Sequence, residues 1–150
     1  RGTLSGNTSP LRLESPSLPL LDIVRDVNKF SNNVMAQHLL LSLGLHAKLG
    51  QPQAVTFEAG RAAAQAWWLQ TLPASAPPVL DNGSGLSRSG RITARSLAAM
   101  LQHAAMSPLA EALADSLPLV GVDGSMRERA KAATGRAALA FGWLTMPMTM

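Results

Sequence analysis

The chain has 150 residues, 47% of them hydrophobic, with 13 Lys and Arg against 9 Asp and Glu, a net charge of +4 and a pI near 10.7. That is enough apolar material for one ordinary domain or part of a larger one, and no window approaches the roughly 20 apolar residues of a membrane span. With no Cys, no Tyr and three Phe, disulfides, Cys-based zinc sites and a thiol nucleophile are excluded, and a base-stacking nucleic-acid surface has little to build on.

Residues 1–19 are rich in Gly, Ser, Thr and Asn and contain Pro10, Pro16 and Pro19, so they read as loop or linker. Leu20, Ile23, Val24 and Val27 fall at helical spacing and predict a first helix from Leu20 to about Lys29. A second is expected just after Ser31, running to about Leu49 and ended by Gly50-Gln51-Pro52. Thr56 opens a third, Ala-rich helix through about Thr71, closed by Pro73. Val79-Leu80 reads as a short extended segment before the dense turn Asp81-Asn82-Gly83-Ser84-Gly85-Leu86-Ser87. Thr93 caps a fourth helix bearing Leu97, Met100, Leu101 and Ala104, and Pro108 sits in the first turn of a fifth ending near Ser116. Gly121-Val122-Asp123-Gly124 is a turn, followed by a short charged helix from Ser125. The tail 138–150, ending Thr145-Met146-Pro147-Met148-Thr149-Met150, carries no pattern of an ordered element and reads as disordered.

The stretch richest in chemistry is Asn28-Lys29-Phe30-Ser31-Asn32-Asn33, directly before an apolar helix. Its plainest structural reading is capping: Ser and Asn oxygens accept the free amide hydrogens of a first turn. Its chemical reading gives Ser31 Oγ a place in proton transfer and gives Asn33, donor and acceptor on one amide, a grip on a substrate carbonyl. Asp81 to Ser87 could cradle an anion through backbone amides, but no Lys-Ser/Thr follows, so it is no P-loop and a tight turn is the plainer reading. Asp123 lacks the acidic companions of a calcium loop. His38, His46 and His103 have no metal-ligand spacing. The basic residues, among them Arg88, Arg91, Arg95, Arg127, Arg129, Lys131 and Arg136, are dispersed over the chain.

Four segments, in order, resemble the D-alanyl-D-alanine carboxypeptidase/endopeptidase family, the low-molecular-mass class C penicillin-binding proteins. They are Asp26 to Gln37, Asp81 to Arg88, Ile92-Thr93-Ala94-Arg95 and Val120 to Met126, and the resemblance spans Leu18 to Ala137. It implies an α/β (α+β) fold of the β-lactamase/transpeptidase type, held here in part as a mostly helical fragment with short strands over 20–137. It also implies a periplasmic serine peptidase that acts through an acyl-enzyme on peptidoglycan stem peptides ending in D-Ala-D-Ala, needs no cofactor or metal, and is acylated by β-lactams. Ser31 and Asn33 match the family's Ser-x-Asn motif, the middle member of a three-part set whose others are Ser-x-x-Lys and Lys-Thr-Gly. As catalytic residues the resemblance therefore gives Ser31 and Asn33, with Asn33 also binding substrate.

Neither partner motif occurs in the sequence. Gly135-Arg136-Ala137, which the family follows with Lys-Thr-Gly, runs here into Ala138-Leu139-Ala140-Phe141-Gly142, so the tail reads as a changed frame or a truncated end. The chain begins at Arg1 and reads as a partial chain, inactive alone. The rival reading is a non-catalytic helical domain that binds cell-wall polymer or a partner protein, with Ser31 only a cap. Because an ester needs a nucleophilic serine, the 150-residue chain should retain no fluorescent penicillin through denaturing electrophoresis. A labelled band would make Ser31 the modified residue and overturn its auxiliary role.

Overall fold

In the computed structural model, residues 15–47, 55–128 and 148–149 are described. The first helix, α1 (Leu20–Phe30), starts after Pro19 with Asp22 in its first turn and Lys29 in its last, the charge order that suits the helix dipole. Of the four residues of the expected apolar stripe, Ile23, Val24 and Val27 are half-buried, while Leu20, like Leu21, stays exposed. The second, α2 (Asn33–Ala47), follows after only two residues, and α3 (Phe57–Thr71) starts where Thr56 accepts a hydrogen bond from the Ala59 amide at 3.2 Å.

The helices α2 and α3 make the most extensive contact among the described elements, and glycine sets how close they come. Gly44 and Gly60 are both buried at the crossing. A Cβ on Gly44 would lie 2.7 Å from the Gly60 amide nitrogen, and one on Gly60 would run into the carbonyl oxygen of Leu40. The two backbones therefore touch directly, with Leu40 and Ala59 buried beside them.

At the far end of α3, Trp68 is 2% exposed and donates from Nε1 to the Ser75 carbonyl at 3.0 Å, so its one polar atom is satisfied as the ring is buried. It packs with Ile92, and Leu72, Leu80, Leu97 and Met100 close around the pair. Trp67, beside it in sequence, lies edge-on to His103 and stays 47% exposed. The chain reaches Ile92 through an antiparallel bridge between Val79 and Arg91. A two-residue strand β1 (Ile92–Thr93) then runs straight into α4 (Ala94–Ala105), whose N-cap is Thr93, accepting from the Ser96 amide at 3.1 Å.

Three elements differ from the sequence expectations. The fifth helix, α5 (Ala110–Ser116), starts two residues beyond Pro108, because Ser107 and Leu109 are used in the preceding turn, where Ser107 Oγ accepts from the Leu109 amide. The charged helix expected from Ser125 is a single 3-10 turn, Gly124–Met126, with Met126 buried. In the tail, Met148–Thr149 forms β2, parallel to β1 with Ile92 opposite Met148 and Thr93 opposite Thr149, a pairing the sequence did not foreshadow. The rest of 138–147, Met150, and residues 1–14 of the linker lie outside the described residues. The outcome is a mostly helical arrangement with short strands.

Gly60→Ala should destabilise the protein although Ala is the better helix former by about 1 kcal/mol. The new methyl meets backbone rather than a movable side chain, so overpacking should outweigh that gain and leave a net loss of about 1–2 kcal/mol. The midpoint of urea unfolding measures it, and an unchanged or higher midpoint would mean that α2 and α3 separate at little cost.

Candidate active site

The Ser-x-Asn triplet lies at the junction of α1 and α2. Ser31 ends α1 in the left-handed region, φ 53° and ψ 46°, and among the described residues it is the one non-glycine with positive φ. That conformation costs a residue with a Cβ about 1–2 kcal/mol. It is held by the Ser31 and Asn32 amides, both donating to the Val27 carbonyl. Asn32 then caps α2: its Oδ1 accepts from the Met35 amide at 3.1 Å, and its carbonyl accepts from the Ala36 amide.

The capping expected of Ser31 and Asn33 therefore falls to the residue between them. Asn33 is the first residue of α2, half-buried, and its side-chain amide has no hydrogen-bond partner among the described residues. Ser31 is half-buried as well, with Oγ 3.4 Å from Ser125 Oγ, a weak hydroxyl contact. The geometry leaves both motif side chains unspent on helix ends.

The residues just before the triplet reach across the fold. Lys29, its side chain 16% exposed, donates from Nζ to the Leu117 carbonyl at 2.8 Å and to Asp123 Oδ2 at 2.5 Å. The other carboxylate oxygen, Asp123 Oδ1, accepts from the Leu119 amide at 2.7 Å. One residue further, Asn28 Nδ2 donates to Ser116 Oγ at 2.8 Å, and that buried hydroxyl donates to the Leu113 carbonyl. Gly124, at φ 54°, lies so close to α1 that a Cβ there would strike the Lys29 carbonyl oxygen. The C-terminal turn of α1 is thus bound side chain and backbone to the segment 116–125.

The Asp81 to Ser87 loop packs on α2 instead. Asn82 Oδ1 accepts from both the amide and the hydroxyl of Ser84, and Ser84 Oγ accepts from the Leu86 amide. Those amides are spent within the loop, which supports the turn reading over an anion cradle. Gly83 sits against Leu40 and the Ala36 carbonyl, and Arg61 of α3 donates to the Asp81 carbonyl at 2.9 Å. An open hollow of about 220 Å³ lined by Leu18, Ile23, Asp26, Val27, Asn32 and Met35 touches the triplet through Asn32 alone. A second, of about 270 Å³, is lined by Arg61, Gln65 and residues 77–80 and includes none of the triplet. His38, His46 and His103 are exposed, and no described helix is long and apolar enough to cross a membrane.

Over residues 6–145 the sequence matches the D-Ala-D-Ala carboxypeptidase 3 (S13) family. The chain belongs to that family. Its structure is similar to two crystal structures of penicillin binding protein 4 (dacB) from Haemophilus influenzae, one of them complexed with a novel β-lactam. Both compare at a TM-score of 0.68 and 23% identity over 79% of this chain. The match covers 27% and 25% of those chains, so this S13-family chain spans about a quarter of their length. Comparison with curated proteins gave no match. The fold is accordingly part of a transpeptidase-like, penicillin-binding-protein fold, and it is mostly helical in this chain.

Sequence reasoning singled out Ser31 and Asn33 but passed over Lys29, Asp123, Asn28 and Ser116 as supports of the same junction. The available signal was that Asn28-Lys29 and Val120 to Met126 both stood within the family-like segments. No spacing rule joins residues 94 apart.

The Lys29 hydrogen bond, helped by the Leu119 amide and opposed by partial burial, holds the Asp123 carboxyl below its ordinary 3.8, with the charges of Lys29 and Arg127 adding to the effect. A depressed folded-state value means that the pair's stabilisation is present above about pH 4 and is lost as pH falls through the lower folded value. Melting temperatures followed downward from pH 5 should therefore fall less steeply in Asp123→Asn than in the parent. Superimposable acid limbs would show that the pair contributes nothing to the folded state.

Proposed function

We propose that this S13-family chain is the Ser-x-Asn-bearing part of a periplasmic serine D-Ala-D-Ala carboxypeptidase/endopeptidase that trims or cuts peptidoglycan stem peptides and is acylated by β-lactams. In that reaction a serine Oγ bonds to the penultimate D-Ala carbonyl carbon, the C–N bond breaks, and the serine proton passes to the departing amine. Water then cleaves the ester. The serine and lysine of Ser-x-x-Lys and the Lys-Thr-Gly strand do not occur in this sequence, so the reading requires them from chain outside the 150 residues.

Within this division of labour Ser31 relays the proton and Asn33 holds the substrate amide. What supports the reading is the distribution of work at the junction. Asn32 alone caps α2, Ser31 is kept in a costly left-handed turn, and the Asn33 amide is left without a partner among the described residues. Backbone strain retained at one point in this way is characteristic of functional sites. Acyl transfer through a serine ester draws on side chains alone, so no cofactor enters this scheme.

Asn33→Ala in the full-length protein should slow acylation by a fluorescent penicillin by roughly 10²–10³-fold, the scale of a lost oriented donor. Its stability should change by no more than about 0.5 kcal/mol, because the amide neither caps the helix nor packs in a core. Equal acylation rates in parent and variant would leave Asn33 a structural position only.

A further inference from the structure

We infer that Lys29 and Asp123 are positioning residues for Ser31: their ion pair fixes the left-handed turn that presents the Ser31 hydroxyl, with Gly124 and Ser125 setting its register. This inference rests on the reading of Ser31 and Asn33 as members of the catalytic apparatus.

Three contacts in succession carry it. The Lys29 ammonium is wrapped by the segment that follows α5, with Leu117 O and Asp123 Oδ2 as its acceptors and the Leu119 amide on the other carboxylate oxygen. One residue along, Gly124 abuts the Lys29 carbonyl, which no side-chain-bearing residue could do without displacing α1. Next, Ser125 Oγ faces Ser31 Oγ at 3.4 Å. The two segments therefore run in register, 29 with 123 and 124, and 31 with 125.

A strained residue keeps its conformation only where its surroundings over-determine it. The backbone hydrogen bonds to the Val27 carbonyl hold Ser31 from inside α1, and the ion pair holds α1 from outside. Lys29 is thereby distinguished from a general base. Among the described residues its hydrogen-bond partners are Leu117 and Asp123, not Ser31.

The test compares Asp123→Asn, which keeps an acceptor for the Leu119 amide but removes the charge, and Lys29→Arg, which keeps the charge but changes its reach. Both are placed in the full-length protein beside the Asn33→Ala control. Two readouts are needed: the acylation rate constant at saturating fluorescent penicillin, and amide hydrogen exchange resolved at Ser31 and Asn32 against α2 and α3. Positioning predicts that each variant loses roughly tenfold or more in rate, since small displacements of reacting groups carry costs of that order. It also predicts that the Ser31 and Asn32 amides exchange faster while α2 and α3 keep the parent's protection.

An unchanged rate overturns the inference. So does faster exchange spread evenly over all helices with a rate loss that tracks the unfolded fraction, because that is the behaviour of a general stabiliser. Should Asp123→Asn fail to fold, Lys29→Arg decides on the same two readouts. If Asn33→Ala is also without effect on acylation, the functional reading itself has failed; if only the control slows, the positioning inference alone has failed.

Discussion

The arrangement of the junction depends on one half-buried cation. A mostly buried ammonium is costly unless its hydrogens meet acceptors and its charge meets a partner, and Lys29 finds both in a single segment. The dependence is mutual. The Leu117 carbonyl and the Asp123 carboxylate need donors, and the turn between them is shaped by wrapping one. Removing either partner would leave the other part-buried and without its counter-charge, held only by the Leu117 carbonyl or the Leu119 amide. Such a pair adds little net stability compared with an apolar replacement, but it fixes which residue stands opposite which. Registration is what a strained serine at a helix end requires.

The glycine crossing plays the complementary part on the other side of the triplet. Because Gly44 and Gly60 let α2 and α3 touch backbone to backbone, α2 is held at its second half, around Leu40 and Gly44. Its first residue is Asn33, and Leu40, about two turns on, supports the Asp81 to Ser87 loop through Gly83. One helix thus links two of the family-like segments, while α1 links the first of them to the fourth. The third, Ile92 to Arg95, anchors to the Trp68 core and starts α4.

How much of this could be read from sequence follows the range of the interactions involved. Thr93 was legible as a cap and Thr56 as a helix start because a cap acts over three residues, and α1 was legible from its apolar spacing, whereas α2 buries Leu40 and Gly44 and leaves Val34 and Leu45 exposed. The loop at Asp81 was legible as a turn because its hydrogen bonds close within two residues. Capping chemistry did not identify the cap at Ser31-Asn32-Asn33, since all three residue types are suited to it. The choice of Asn32 follows from the left-handed turn at Ser31, which depends on contacts made much later in the chain. For the same reason Lys29 gave no sign of its role: nothing local distinguishes it from a solvated lysine near a helix end. Likewise, nothing in Met148-Thr149 announced a pairing with Ile92-Thr93, since a strand is defined by a neighbour the local sequence does not contain.

The separation of 94 residues between Lys29 and Asp123 has a consequence for the order in which the molecule assembles. Closing a loop becomes harder with its length, by about 0.6 kcal/mol for each doubling, and contacts distant in sequence form after local ones have shortened the effective path. The α2–α3 hairpin joins neighbouring helices and can close early. By that argument the tie between α1 and the Asp123 turn, and with it the alignment of Ser31, is expected to form after the helices it joins.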